Sequence, residues 1–105
     1  MDKSEALKIA KIYIDSISSR YIIKDAILFG SFAKGTNHED SDIDIAIVIT
    51  NIVDIIDTQI EMMKLRRKID LRIEPHPFMV SDFNQSNPVV NEILKYGITI
   101  DYNVN

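Results

Sequence analysis

The stretch GSFAKGTNHEDSDIDIAIVIT, Gly30 to Thr50, decides how this chain folds. An apolar run, DAILF, leads into Gly30, so Gly30-Ser31 falls where a short buried strand stops. SFAKG is compatible with one helical turn, and TNHEDS is a polar loop. From Asp42 to Ile49 the residues alternate. Ile43, Ile45, Ile47 and Ile49 face one way, and Asp42, Asp44, Ala46 and Val48 the other. Asp42 and Asp44 therefore project from the same face of one strand, with alpha carbons about 6.6 Å apart. Like charges beside a core are costly unless something positive binds them.

Outward from this stretch, the remaining elements are legible from periodicity. Leu7, Ala10, Ile14 and Ile17 recur at helical spacing with Tyr13 beside them, which predicts a helix from about Ser4 to Ser18 with Ser4 as its cap. Ile52, Ile55, Ile56, Ile60 and Met63 mark a second helix. KIDLRIE alternates Ile69, Leu71 and Ile73 against Asp70, Arg72 and Glu74, which predicts a strand. The prolines of EPHPF cannot donate to a ladder and are expected to end it. Asn87 and Pro88 open a third helix, Gly97 ends it, and ITIDY makes a last short strand. The expected fold is a single α/β (α+β) domain over residues 1–105. It has a mixed sheet of about four strands with three helices packed on it.

Composition narrows the chemistry. The chain has 105 residues, 46% of them apolar and 27% charged, as an ordinary globular domain does. With no cysteine, disulfides, thiolate nucleophiles and cysteine-ligated zinc are excluded. A net charge of −4 argues against a protein that lives on duplex nucleic acid. No apolar run is long enough to span a bilayer, and MDKSEALKIA lacks a signal-peptide core, so the expectation is a cytoplasmic protein. The one basic cluster, Lys64 to Lys68, suits the solvated C-terminal end of the second helix, with a partner or phosphate contact as the alternative. His38 and His76 fall in expected loops, without zinc spacing.

The carboxylates suggest a metal site. If the strand carrying Asp70 pairs with the strand carrying Asp42 and Asp44, Asp70 joins them on one sheet face. Glu74 lies roughly 13 Å further along and falls outside the group. Three such acids suit magnesium, and two ions about 3.5–4 Å apart clamp an in-line displacement at phosphorus. The amides after Gly30 and the Ser31 hydroxyl offer donors to a triphosphate. Together these features make a phosphoryl or nucleotidyl transfer site.

Gly30-Ser31, ten residues, then Asp42-Ile43-Asp44 resembles the G-S-x10-D-x-D signature of the polymerase-beta-like nucleotidyltransferase superfamily. KIDLRI looks like the superfamily's third-carboxylate strand, and with ILKYGITIDY nearly the whole chain is similar to the minimal nucleotidyltransferase (MNT) branch. Lys34 stands where many members carry arginine, which keeps a phosphate contact but loses bidentate geometry. The resemblance implies two Mg2+ ions on Asp42, Asp44 and Asp70, with Asp70 able to take the acceptor's proton. It also implies ATP as nucleotide, with Gly30, Ser31 and Lys34 around its phosphates; Arg72 either contacts a phosphate as well or neutralises Asp70 and Glu74. It further implies an antitoxin paired with a helical HEPN-domain toxin, which it silences by transferring AMP to a hydroxyl side chain, tyrosine foremost. Transfer to a small molecule or an RNA end is the alternative chemistry, and masking of a partner by binding alone is the alternative without chemistry.

Overall fold

A computed structural model describes residues 1–102. The chain runs α1 (Lys3–Ile17), β1 (Ile23–Phe29), a one-turn α2 (Ser31–Lys34), β2 (Ile43–Ile49), α3 (Ile55–Leu65), β3 (Ile73–Met79), α4 (Pro88–Tyr96) and β4 (Ile98–Thr99). The strands form one mixed sheet in the order β3-β2-β1-β4. β1 is antiparallel to both β2 and β4, and β2 is parallel to β3, with α3 in the crossover between them. The expected order of elements is borne out.

β2 is central, and its alternation sorts the two faces of the sheet. Ile43, Ile45, Ile47 and Ile49 are buried with Ala6, Ala10, Tyr13, Ile14 and Ile17 of α1 and Met62 of α3. The opposite face is thinner: Ile27 and Ala46 pack with Ile93 of α4, flanked by Phe29, Phe78 and Phe83. Tyr13 spans two elements of the first face. Its buried hydroxyl donates to the Met62 carbonyl at 2.8 Å, and burial raises its pKa well above the ordinary tyrosine value.

Three expectations need correction. Asp2, not Ser4, caps α1, its carboxylate accepting from the Glu5 amide at 2.9 Å. The buried face of α3 runs through Thr58 and Met62, while Ile56 and Ile60 are 69% and 49% exposed. The core-facing stripe of this helix is therefore offset from Ile56 and Ile60, and Met62 enters the same cluster as Tyr13, Ile73 and the β2 isoleucines.

The third correction concerns β3. It does not span KIDLRIE: residues 66–68 form a 3-10 turn, and a further turn at 71–72 leads into Ile73. The strand instead runs through both Pro75 and Pro77. Ile43 donates its amide to the Arg72 carbonyl, and the register pairs Ile43 with Ile73. In a parallel ladder this turns the backbone groups of Glu74, His76 and Phe78 toward β2. Those of Pro75 and Pro77 point away, toward the open edge, where a missing N–H costs nothing. Side chains also occupy that edge. Arg66 Nη1 donates to the Ile73 carbonyl at 2.8 Å, and Gln59 Nε2 donates to the Pro75 carbonyl at 2.8 Å. The prolines are thus a feature of a protected edge strand, not its stop signal.

Asn87 caps α4 through the Val89 amide, and Gly97 closes the helix as expected. Gly97 has no unusual φ; its requirement is space. A Cβ there would lie 2.3 Å from the Ile93 carbonyl oxygen and 2.4 Å from Ile27 Cγ2. We predict that Gly97→Ala destabilises the fold by about 1–3 kcal/mol, the scale of overpacking a core. Urea unfolding would read this as a lower midpoint, and an unchanged midpoint would contradict the crowding at the α4–β4 junction.

Candidate active site

The end of β1 and the starts of β2 and β3 meet on the thinner face of the sheet. Phe29 pairs with Asp44 across β1 and β2, and Asp44 pairs with Glu74 across β2 and β3. Asp44, Ala46 and Val48 share this face with Glu74, His76 and Phe78. Six of the seven β2 residues are buried, and Asp44 is the exception, partly open to solvent. Asp42 precedes the strand by one residue, is exposed, and keeps the two-residue phase with Asp44.

Both oxygens of Asp44 have defined neighbours. Oδ1 lies 3.0 Å from His76 Nε2. Oδ2 lies against Gly30, where a Cβ would come within 2.4 Å of it. Gly30 has φ 77° and ψ −151°, a conformation closed to side-chain-bearing residues. Conformation and contact both require glycine at this position. The sequence therefore joins the glycine loop to the carboxylate strand by direct contact.

After Gly30 the chain makes the single turn of α2. Lys34 donates its amide to the Gly30 carbonyl at 3.1 Å, and Thr36 donates to the Ser31 carbonyl at 3.0 Å beside a left-handed Gly35. The amides of Ser31, Phe32 and Ala33 precede the first intrahelical bond and are donors available at the N-terminal end of the turn. Ser31 is partly exposed there. Lys34 is turned toward α4, where it pairs with Glu92 and lies 5.2 Å from the Tyr96 ring centroid.

Asp70 does not join the other acids through the strand register proposed for it. It lies three residues before β3, and Arg72 grips it with Nε at 2.9 Å and Nη2 at 2.7 Å, with the Arg72 amide also at 2.9 Å. The hydrogen bonds from Arg72 hold the Asp70 carboxyl below its usual pKa. Both residues are engaged with each other in the turn that feeds β3. The residue level with Asp44 is Glu74, which sequence spacing had placed too far along the sheet. Glu74 Oε1 sits 3.4 Å from Arg66 Nη1. His76 was expected in a loop and instead stands in mid-strand beside Asp44. The signal for both lay in continued alternation: Glu74, His76 and Phe78 stay in phase straight through the two prolines.

Carboxylate oxygens are donors suited to a hard divalent cation, and the register sets two of them side by side. Among the described residues, no three His, Cys, Asp or Glu side chains already converge as a metal site. Asp44 is engaged by His76 and Glu74 by Arg66, so closing the group takes a side-chain rotation of Glu74 away from its arginine. The oxygens of Asp44 and Glu74 are of the kind a hard divalent cation takes, and the register places the two strand positions opposite one another.

Comparison with known proteins agrees with this architecture. The family model for polymerase beta nucleotidyltransferases matches residues 11–103. A crystal structure from Sulfolobus solfataricus, assigned as a nucleotidyltransferase, is similar with a TM-score of 0.66 at 22% identity, covering 92% of this chain and 80% of that one. A toxin-antitoxin crystal structure with AMP-PNP is similar with a TM-score of 0.57 at 22% identity, covering 98% of this chain and 75% of that one. A mutant of the MntA-HpeT toxin-antitoxin is similar with a TM-score of 0.55 at 20% identity, over 98% and 75% of the two chains. No curated protein matches in sequence. With a four-stranded mixed sheet, a glycine loop seated on a strand carboxylate and a family match over most of its length, the chain belongs to the polymerase beta nucleotidyltransferase family and is a nucleotidyltransferase.

Proposed function

We propose that the protein transfers AMP from ATP to a hydroxyl side chain of a helical toxin partner of the HEPN class, with magnesium, and so acts as its antitoxin. The observation that carries the chemistry is the contact between Gly30 and Asp44. It seats a turn with free amide donors directly beside a carboxylate, as a triphosphate bridged by metal requires. The antitoxin role and the nucleotide draw support from likeness to toxin-antitoxin structures, one of them with AMP-PNP.

In this proposal Asp42, Asp44 and Glu74 hold the metal, and Glu74 takes the place first given to Asp70 because the β2–β3 register sets it opposite Asp44. Bound there, magnesium supplies charge neutralisation on the phosphates and on the attacking and leaving oxygens. The amides after Gly30 and the Ser31 hydroxyl hold the outer phosphates. The acceptor oxygen attacks the α phosphorus, the bond to the bridging oxygen breaks, and pyrophosphate leaves. A carboxylate of the group takes the hydroxyl proton. Lys34 reaches a phosphate only by leaving Glu92, and Arg72 only by leaving Asp70, so both are secondary contacts in this scheme.

Three outcomes test it. Co-expression with a neighbouring helical toxin should add the mass of one or more AMP units to that toxin, and Asp44→Asn should abolish the addition while the chain still folds. Neutralisation of the toxin by Asp44→Asn with no added mass would point to masking by binding. Glu74→Gln should cut transfer by about 100-fold or more, the scale of removing one electrostatic stabiliser from a site, and Asp70→Asn should leave transfer near wild type with a small loss of thermal stability. The opposite ranking would return the third carboxylate to Asp70. Ser31→Ala should weaken use of subsaturating ATP by about 1–2 kcal/mol, the scale of a hydrogen bond to a charged group. An unchanged rate would remove Ser31 from the phosphate site.

A further inference from the structure

The proposed chemistry leaves one polar side chain at the site without a role. His76 is flanked in sequence by Pro75 and Pro77, and their rings fix the backbone on either side of it. It pairs with Ala46 across the β2–β3 ladder, and Ala46 in turn pairs with Ile27 of β1. The alpha carbons of β1 and β3 are separated by the full width of β2, about 10 Å. Nevertheless the His76 ring meets the Phe29 ring edge-on, with centroids 5.0 Å apart and planes at 64°. The two rings lean toward each other over Ala46, whose small side chain leaves the room. The His76 side chain is 42% exposed, supported on one side by this ring contact, and in that position Nε2 reaches Asp44 Oδ1 at 3.0 Å. An ionised carboxylate only accepts, so Nε2 carries the proton and donates.

We infer that His76 is a positioning residue for Asp44: its Nε2–H holds one carboxylate oxygen so that the other stays directed at the Gly30 loop, ready for a divalent cation. This rests on the proposed role of Asp44 as a metal ligand. Carboxylates that bind metals are themselves commonly fixed by hydrogen bonds, and loss of such a partner costs about 10–100-fold in metal affinity. Without His76, Asp44 can rotate away from Gly30, and each metal-binding event must first restore its orientation. The hydrogen bond also offsets part of the cost of keeping a carboxylate on a buried strand. Phe29 is the second part of the device, because it supports the ring that carries the donor.

Three substitutions separate the hydrogen bond from the packing. His76→Phe keeps an aromatic edge against Phe29 but has no donor. His76→Gln restores an N–H near the position of Nε2, and His76→Ala removes both. The readout is Mn2+ binding to the purified chain, followed by the loss of free-ion electron paramagnetic resonance signal, with Asp44→Asn as reference. It needs neither nucleotide nor acceptor. His76→Phe and His76→Ala should each weaken Mn2+ binding by about 10–100-fold. His76→Gln should recover most of that loss, and thermal melts of the Phe and Gln variants should stay close to wild type. Wild-type affinity in His76→Phe would overturn the positioning role while leaving the metal role of Asp44 standing. Equal Mn2+ binding by wild type and Asp44→Asn would overturn the metal role itself and the positioning role with it.

Discussion

Asp44 is the one partly open residue on a strand whose other six members are buried, and the rest of the site is arranged around it. A carboxylate in that position loses part of its hydration and needs compensation. It finds a donor in His76 on one side and a backbone made accessible by glycine on the other. These two contacts fix what the neighbouring elements can be. β1 must end in a residue able to adopt φ 77° with no side chain, and β3 must present a donor two residues beyond its own acid. The fold can be read as the support of this one carboxylate. α1 and α3 bury the isoleucine face of β2, leaving the aspartate face to α4 at one end and to solvent at the other.

The parallel pairing of β2 with β3 makes the site possible, and it depends on the edge of β3 being safe. An open parallel edge invites pairing with another chain. Pro75 and Pro77 remove two outward donors, while Arg66 and Gln59 occupy outward carbonyls. Arg66 also lies beside Glu74, so the same side chain that seals the edge holds the proposed third carboxylate back from the group. Part of the Lys64 to Lys68 basic cluster is therefore structural. Its arginine at position 66 is partly buried and bonded to backbone, whereas a purely solvated helix end would leave it free.

Much of this was legible in the sequence. Alternation along β2 needs only its own residues, because a central strand with one mostly apolar face writes the period directly. The glycine loop was legible for a similar reason: Gly-Ser after an apolar run and before a polar loop has few structural uses. β3 was not legible, because local rules point the wrong way there. Proline ends a strand that is paired on both sides but is tolerated on an outer edge, and edge or centre is a tertiary property. With the strand shifted, the register sets Glu74 and not Asp70 opposite Asp44, and the proposed third carboxylate moves with it. The isoleucines of α3 misled for a related reason, since which stripe of a helix is buried is set by how it docks on the sheet and need not be its most apolar one.

The central claim is that Asp42, Asp44 and Glu74, served by the Gly30 loop, form the metal and phosphate site. Crystals grown with Mn2+ and a non-hydrolysable ATP analogue would test it directly through anomalous diffraction. The account predicts manganese peaks bounded by these three carboxylates, Glu74 turned away from Arg66, and phosphate oxygens on the amides following Gly30. Manganese bound by Asp70 in place of Glu74, or a triphosphate away from the Gly30 loop, would contradict it.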